Sequence, residues 1–243
     1  MNTLPSFVEL TLPDWVFREV DAAQIYASDE ERVALAIRLA NRNVEEKTGG
    51  PFGAAVFTRE GRLVAAGVNR VVPHSCSVAH AEMMAYMLAQ SKLRRFRLNE
   101  PAPGEAREQF VLATSAQPCC QCYGATIWAG VDELLIGARS EDVEELSEFD
   151  EGPLPADWIG ELEKRGVRVK RDILRDAARE SARIQRAAWA DRERVSRERV
   201  VAAGVTVIEI QDRSLWATLM EPVYAKYASD PRLAALVQQI RAL

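Results

Sequence analysis

The sequence predicts a layered α/β domain with a mostly helical extension at its C-terminal end. Strand-length apolar runs such as Phe110–Thr114 and Glu133–Ala138 alternate with helix-length segments as far as Lys170. That alternation is the pattern of helices packed on a sheet. Apolar residues recur at helical spacing around Val33, Ile37 and Ala40, then give way to short β-rich runs at Ala54–Thr58 and Leu63–Val68. Beyond Asp176 the composition turns to Arg, Glu and Ala. The chain therefore divides into a domain over 1–177, with residues 1–28 as an N-terminal arm, and a helical extension over 178–243.

The elements follow in order. Ser28 and Glu31 form a capping-box pattern ahead of Val33, Ile37, Ala40 and Val44, which predicts an amphipathic helix over 29–46 ended by Gly49-Gly50-Pro51. The runs at 54–58 and 63–68, joined by Arg59-Glu60-Gly61, read as a hairpin. Ala79–Ser91 is apolar nearly all round and reads as a buried helix, and 97–108, with two prolines and a glycine, as a surface loop. A buried strand at Phe110–Thr114, a helix at Cys119–Ala129 and a strand at Glu133–Ala138 come next. Phe149–Pro155 is an irregular loop, Asp157–Arg165 a helix and Val167–Lys170 a short strand. Residues 177–203 suit a long exposed helix, Val205–Ile210 a strand, and Arg213–Tyr227 and Arg232–Leu243 amphipathic helices.

Of the 243 residues, 48% are apolar and 28% charged, which excludes disorder over most of the chain. No run approaches the ~18 apolar residues of a membrane helix. Met1–Asp14 lacks the basic start and apolar core of a signal peptide, so a cytoplasmic location is expected. With 36 Asp+Glu against 31 Lys+Arg and net charge -5, the chain is a poor electrostatic partner for nucleic acid. The arginines of 177–203 are interleaved with Glu180, Asp191, Glu193 and Glu198, the mixed-sign pattern of a solvated helix face.

Chemistry concentrates in the cysteines. Cys119, Cys120 and Cys122 crowd into four positions, which is metal-like spacing rather than a disulfide framework, and the two histidines are His74 and His80. His80-Ala81-Glu82 opens one helix and Pro118-Cys119-Cys120-Gln121-Cys122 the next. A Cys-x-x-Cys at a helix start can place two thiolates on one zinc, helped by the helix dipole. One histidine and two cysteines leave the fourth tetrahedral position to water, the arrangement of a catalytic site. Glu82 can face the same cavity only if His80 and Glu82 straddle the first turn, because i and i+2 diverge within a regular helix. His-x-Glu with Pro-Cys-x-x-Cys is the signature of the zinc deaminases. Cys120 is read as packing against the helix, and Cys76 and His74 as structural.

On these residues, 30–177 resembles the cytidine/deoxycytidylate deaminase superfamily, and within it the bacterial guanine deaminase branch. The resemblance is carried by Gly50-Pro51-Phe52-Gly53-Ala54-Ala55-Val56, Asn69-Arg70-Val71-Val72-Pro73, Ala79-His80-Ala81-Glu82 and Thr114-Ser115-Ala116-Gln117-Pro118-Cys119. Trp128-Ala129-Gly130-Val131, Ala138-Arg139-Ser140-Glu141-Asp142-Val143 and Phe149-Asp150-Glu151-Gly152-Pro153 complete it, the last pointing to enzymes acting on guanine and related triazines. The resemblance implies a three-layer α/β/α fold with a mixed central sheet. It implies one Zn2+ per chain on His80, Cys119 and Cys122, with Glu82 as general acid/base. Asn69 would hydrogen-bond the base, Phe52 would wall the ring, and the backbone at Ala81 would touch the substrate. Glu151, or Asp150 as the alternative, would assist proton transfer at the amino group. The implied reaction is guanine to xanthine plus ammonia, in a homodimer; cytosine, ammeline and transfer-RNA adenosine are the alternative substrates. A zinc-bound structural or regulatory dimer without activity is the reading of another class.

The resemblance ends near residue 178. Ala202-Ala203-Gly204-Val205-Thr206-Val207-Ile208 and Met220-Glu221-Pro222-Val223-Tyr224-Ala225-Lys226-Tyr227 instead resemble the C-terminal end of the solute-binding proteins of TRAP transporters. The tail's apolar stripes, among them Leu215, Leu219 and Val223, are expected to pack on the domain or on a second subunit.

Overall fold

The computed structural model describes residues 4–101, 103–147, 150–208, 212, 214–227 and 233. The chain falls into two compact units, Met1–Arg192 and Glu193–Leu243. The first unit is built on five strands: β1 (Gly53–Thr58), β2 (Leu63–Val68), β3 (Phe110–Ala116), β4 (Glu133–Ala138) and β5 (Arg168–Lys170), in the order β2-β1-β3-β4-β5. β1 runs antiparallel to β2 and β3, whereas β3, β4 and β5 are parallel, so the sheet is mixed.

Both faces of the sheet are covered. Alternate residues of β1 and β3 point opposite ways: Ala55, Phe57, Val111 and Ala113 join one apolar cluster, and Ala54, Val56, Phe110 and Leu112 the other. The first cluster is closed by α1 (Trp15–Glu19) and α2 (Asp29–Glu45), through Trp15, Val33, Leu35 and Leu39. The second is closed by α4 (Ala81–Leu93), α5 (Cys120–Ala129) and α7 (Trp158–Glu163), through Ala85, Ala129 and Leu162. The result is a three-layer α/β/α domain. Every residue of β1, β3 and β4 is buried, which is why these strands read as continuous rather than alternating apolar runs.

Local signals explain where the elements begin. Ser28 Oγ accepts from Glu31 N–H at 3.1 Å and Glu31 Oε2 accepts from Ser28 N–H at 3.1 Å, the reciprocal cap expected for α2. α4 begins at Ala81 rather than at 79, because His80 is the extended N-cap residue. Three short helices lie where no helix was expected: α1, α3 (Val71–His74) and α6 (Ser140–Ser147). The C-terminal segment forms α8 (Arg175–Ala202) and α9 (Ser214–Tyr227). α8 starts inside the first unit, where Ala178 is buried and Arg175 and Arg179 both pair with the buried Asp142.

The strand expected at 205–210 is corrected: Val205–Ile208 carries no strand, and 209–210 lies outside the described residues. A strand needs a neighbouring strand to pair its backbone groups, and among the described residues no strand pairs with this run. The helix expected at 232–243 also lies outside the described residues, Leu233 excepted. No helix among the described residues is long and apolar enough to cross a membrane.

The topology brings four strand ends together. Gly53 pairs with Val68, Ala54 with Thr114, and Ala116 with Ala138, so the start of β1 lies beside the C-terminal ends of β2, β3 and β4. The loops leaving these ends carry the candidate residues, at the edge where open α/β sheets place their ligands.

Candidate active site

β2 leads to Asn69 and on to His80, and β3 leads to Cys119. Arg70 N–H donates to Ala79 O at 2.8 Å, tying the exit of β2 to the start of α4. Gln117 N–H donates to Ala138 O at 2.9 Å and so holds the exit of β3 against that of β4. Cys119 is the extended N-cap of α5, with Cys122 in the helix's first turn. Behind Cys122, its carbonyl accepts from Thr126 Oγ1 at 2.8 Å, and Thr126 Oγ1 accepts from Tyr86 OH at 2.9 Å.

These placements converge on one point. His80 Nδ1 lies 3.4 Å from Cys119 Sγ and 3.6 Å from Cys122 Sγ, and one donor atom from each of the three residues lies within 4.8 Å of the others. Tetrahedral zinc with Zn–S ~2.3 Å and Zn–N ~2.0–2.1 Å sets an N···S separation of ~3.6 Å. The donor set therefore fits zinc in chemistry and in spacing. The protonation pattern fits as well. Its hydrogen bond with Cys122 holds the Cys119 thiol down at about 4, with His80 adding to the effect. The same bond pushes Cys122 well above the ordinary thiol range, and the bond to Cys119 raises His80. Two thiols and an imidazole with their donor atoms this close could hold one metal ion.

Two carboxyl groups stand beside the cluster. Glu82 sits in the first turn of α4 and is buried; burial is the main cause that lifts its carboxyl to about 7, with the Cys119 charge adding and the His80 charge opposing. Because His80 is outside the helix, the divergence of i and i+2 does not separate the pair. Glu151 is also buried, and its carboxyl is raised to about 8 by burial and by the charges of Cys119 and Glu82. Its loop is fastened to α5, since Cys120 N–H donates to Glu151 O at 2.9 Å. Gly152 follows with φ +70°, and a Cβ there would lie 2.6 Å from Cys120 Sγ, so the close approach needs glycine. Asp150 is exposed, and its Oδ1 accepts from Gly152 N–H at 2.8 Å, an Asx-type turn that shapes the loop. Phe149 lies outside the described residues.

Asn69 follows β2 and Phe52 precedes β1. Asn69 is buried, its N–H donates to Phe52 O at 3.1 Å, and its Oδ1 accepts from Val71 N–H at 3.3 Å. Phe52 packs against both apolar clusters while remaining partly exposed. Ala81 is fully buried at the first position of α4, where a helix leaves its N–H without an intrahelical acceptor. Cys120 is exposed, and His74 Nε2 lies 3.1 Å from Thr11 O, on the N-terminal arm. Sequence reasoning missed Asn43, Tyr86 and Thr126, which are buried and bonded across the fold, Asn43 to Asn69 and Tyr86 to Thr126.

The comparisons with known proteins agree with this geometry. Residues 27–138 match the model of the cytidine and deoxycytidylate deaminase zinc-binding region. The guanine deaminase of Bacillus subtilis is 34% identical over 116 residues, covering 48% of this chain and 67% of that protein. A transfer-RNA-specific adenosine deaminase of Buchnera aphidicola is 28% identical over 132 residues, 54% of this chain and 77% of that one. The solved guanine deaminase of Nitrosomonas europaea superposes with a TM-score of 0.68 at 42% identity, over 75% of this chain and 97% of its own, and a mutant of it was solved with 8-azaguanine. Residues 167–230 match part of a family of bacterial extracellular solute-binding proteins, family 7. With a donor set spaced for zinc at the edge of a shared three-layer fold, this chain belongs to the cytidine and deoxycytidylate deaminase family.

Proposed function

We propose that this chain is a zinc-dependent hydrolytic deaminase of a free nucleobase, converting guanine and water to xanthine and ammonia. The observation that carries this reading is Glu151, a second buried carboxyl beside Glu82 and the His80–Cys119–Cys122 cluster. When bound by His80, Cys119 and Cys122, zinc supplies Lewis-acid activation of a water at neutral pH. Glu82, lifted to about 7, would take one proton from the attacking water and pass it to the ring nitrogen, then take the second from the new C–OH and pass it toward the departing amine. Glu151, lifted to about 8, holds a proton at neutral pH; it would give that proton to the exocyclic amino group and be reprotonated by the second one Glu82 passes on, so that ammonia leaves and both carboxyls return to their starting state. Asn69 orients the base: its Oδ1 is taken by Val71 N–H, so its amide NH2 is the group offered to an acceptor on the ring. Phe52 walls the ring, and the Ala81 N–H is a donor for the substrate's edge. The net charge of -5 favours a free base over transfer RNA.

Two further parts of the reading concern the surroundings. Thiolates kept as metal ligands suit a reducing, cytoplasmic compartment. Phe96 and Trp128, 81% and 76% exposed, lie on segments joined by the Leu98 N–H to Ala129 O bond, and they support a homodimer. Light scattering at the mass of two chains is the expected result.

Ammonia release from a panel of guanine, cytosine, ammeline and adenosine-containing transfer RNA tests the function. Release from guanine at the highest kcat/KM, with xanthine as co-product, is expected. Zinc-loaded protein that releases no ammonia from any member would leave the structural reading in its place.

A further inference from the structure

Asn43 lies on α2, ahead of the Gly50–Val56 segment, and it is fully buried with all its side-chain groups engaged. Its Nδ2 donates to Asn69 O at 2.9 Å and to Gly50 O at 2.8 Å, and its Oδ1 accepts from Thr48 Oγ1 at 2.8 Å. The partners fix its orientation, because two carbonyl oxygens can only accept. The fit is close: a Cβ at Gly49 would lie 1.9 Å from Asn69 O and 2.6 Å from Asn43 Nδ2. Thr48 is held in turn by Trp15 Nε1, which donates to Thr48 Oγ1 at 2.9 Å, and by Arg70, which donates to Thr48 O at 2.5 Å. Arg70 Nε also donates to Thr11 O at 3.1 Å.

The consequence falls on Asn69. Its N–H is held by Phe52 O, its Oδ1 by Val71 N–H and its carbonyl by Asn43. Among the described residues nothing accepts from its amide nitrogen. Three of its four polar groups are thus immobilised by the protein, and the fourth, a two-proton donor, is left to the ligand. Asn43 holds at once the backbone of Asn69 and that of Gly50, two residues before Phe52, so a single side chain sets the spacing between the hydrogen-bonding wall and the stacking wall.

We propose that Asn43 is a positioning residue for base recognition: by clamping the carbonyls of Asn69 and Gly50 it sets the direction of the Asn69 amide and the width of the slot against Phe52. This rests on the reading of Asn69 as the residue that binds the base. Such a clamp acts on substrate binding and leaves the proton transfers of Glu82 and Glu151 in place. Losing it frees a backbone that Asn69 then orders only on binding, so affinity falls while turnover at saturation is retained.

A double-mutant cycle on the full-length, zinc-loaded chain tests this, with guanine as substrate, zinc content measured for each variant and urea unfolding recorded in parallel. Asn43→Ala is expected to raise KM about tenfold, the scale of a lost hydrogen-bonding contact, with kcat within about twofold and zinc unchanged. Asn69→Ala is expected to raise KM by more. In the Asn69→Ala background, Asn43→Ala is expected to add about threefold or less to KM, the part passed through Gly50 to the Phe52 wall, while lowering stability as much as it does alone. A merely structural role would add the same factor in both backgrounds, and that result overturns the proposal. So does an unchanged KM in Asn43→Ala. If Asn43→Ala folds too poorly to assay, Thr48→Val, which removes the partner of Asn43 Oδ1, is expected to raise KM about threefold with the same loss of effect in the Asn69→Ala background, and an additive result overturns the proposal equally. Asn69→Ala with unchanged KM overturns the base-binding reading itself, and the clamp with it.

Discussion

Replacing Gly152 by alanine isolates the loop that carries Glu151. Two costs follow from the geometry. Gly152 has φ +70°, and an L-residue held in the left-handed region costs ~1–2 kcal/mol. For a domain of this size that corresponds to a fall in Tm of roughly 2–8 °C. The new Cβ would also lie 2.6 Å from Cys120 Sγ, about 0.8 Å inside the 3.4 Å at which ordinary contact begins. The loop or the thiol must yield that distance, and Glu151 is the adjoining residue. A displacement approaching 1 Å at a proton donor costs up to ~100-fold in rate. Gly152→Ala is therefore expected to lower kcat on guanine by about ten- to a hundredfold, with zinc content unchanged. Adding Cys120→Ala removes the thiol and is expected to restore part of kcat while leaving the Tm loss, because the backbone conformation is untouched. Stopped assays of xanthine formation and thermal melts on the four proteins measure both effects. Wild-type turnover in Gly152→Ala, or an identical loss of rate with and without the Cys120 thiol, would refute the reasoning.

Three more outcomes are expected. Glu82→Gln keeps zinc and fold but loses ~10²–10⁴-fold in kcat, since an amide cannot carry a proton between water and amine; metal analysis beside the rate assay checks it. In zinc-free protein the Glu151 carboxyl, raised from 4.5 to about 8, contributes stability that is complete below pH 4.5 and is lost as pH rises through about 8. Relative to Glu151→Gln, the zinc-free wild type is thus expected to lose Tm between pH 5 and 8, as melts across that range will show. A chain ended at Asp176 gives up buried Ala178 and the pairing of Arg179 with Asp142, so it is expected to be about 1–3 kcal/mol less stable in urea than one ended at Arg192.

Much of the frame was legible because its signals are local. The Ser28/Glu31 cap and the apolar period of α2 are contained within a few turns of chain, and the apolar runs of β1, β3 and β4 announce strands covered on both faces. The His80, Cys119 and Cys122 pattern pointed to a metal before any geometry, through spacing alone. The missed elements are short. α3 spans four residues and contains Pro73, and α1 spans five, too few for a period to declare itself. α6 had a readable signal in the acidic first turn, Glu141 and Asp142, which sequence reasoning passed over. Val205–Ile208 misled because β-branched residues describe a surface that fits a sheet, and no strand among the described residues pairs with it. Asn43 was invisible for the opposite reason: a polar residue inside a helix pattern reads as solvated, and its partners Asn69 and Gly50 come from other segments.

The most direct test of the central claim, that a second buried carboxyl carries a proton beside Glu82, is the kinetic split of Glu151→Gln on guanine. The account predicts kcat lowered by at least ~10²-fold with KM within about threefold and zinc retained, because the amide keeps the shape of the loop and removes the proton. A rise in KM at unchanged kcat would contradict it and make Glu151 a binding contact.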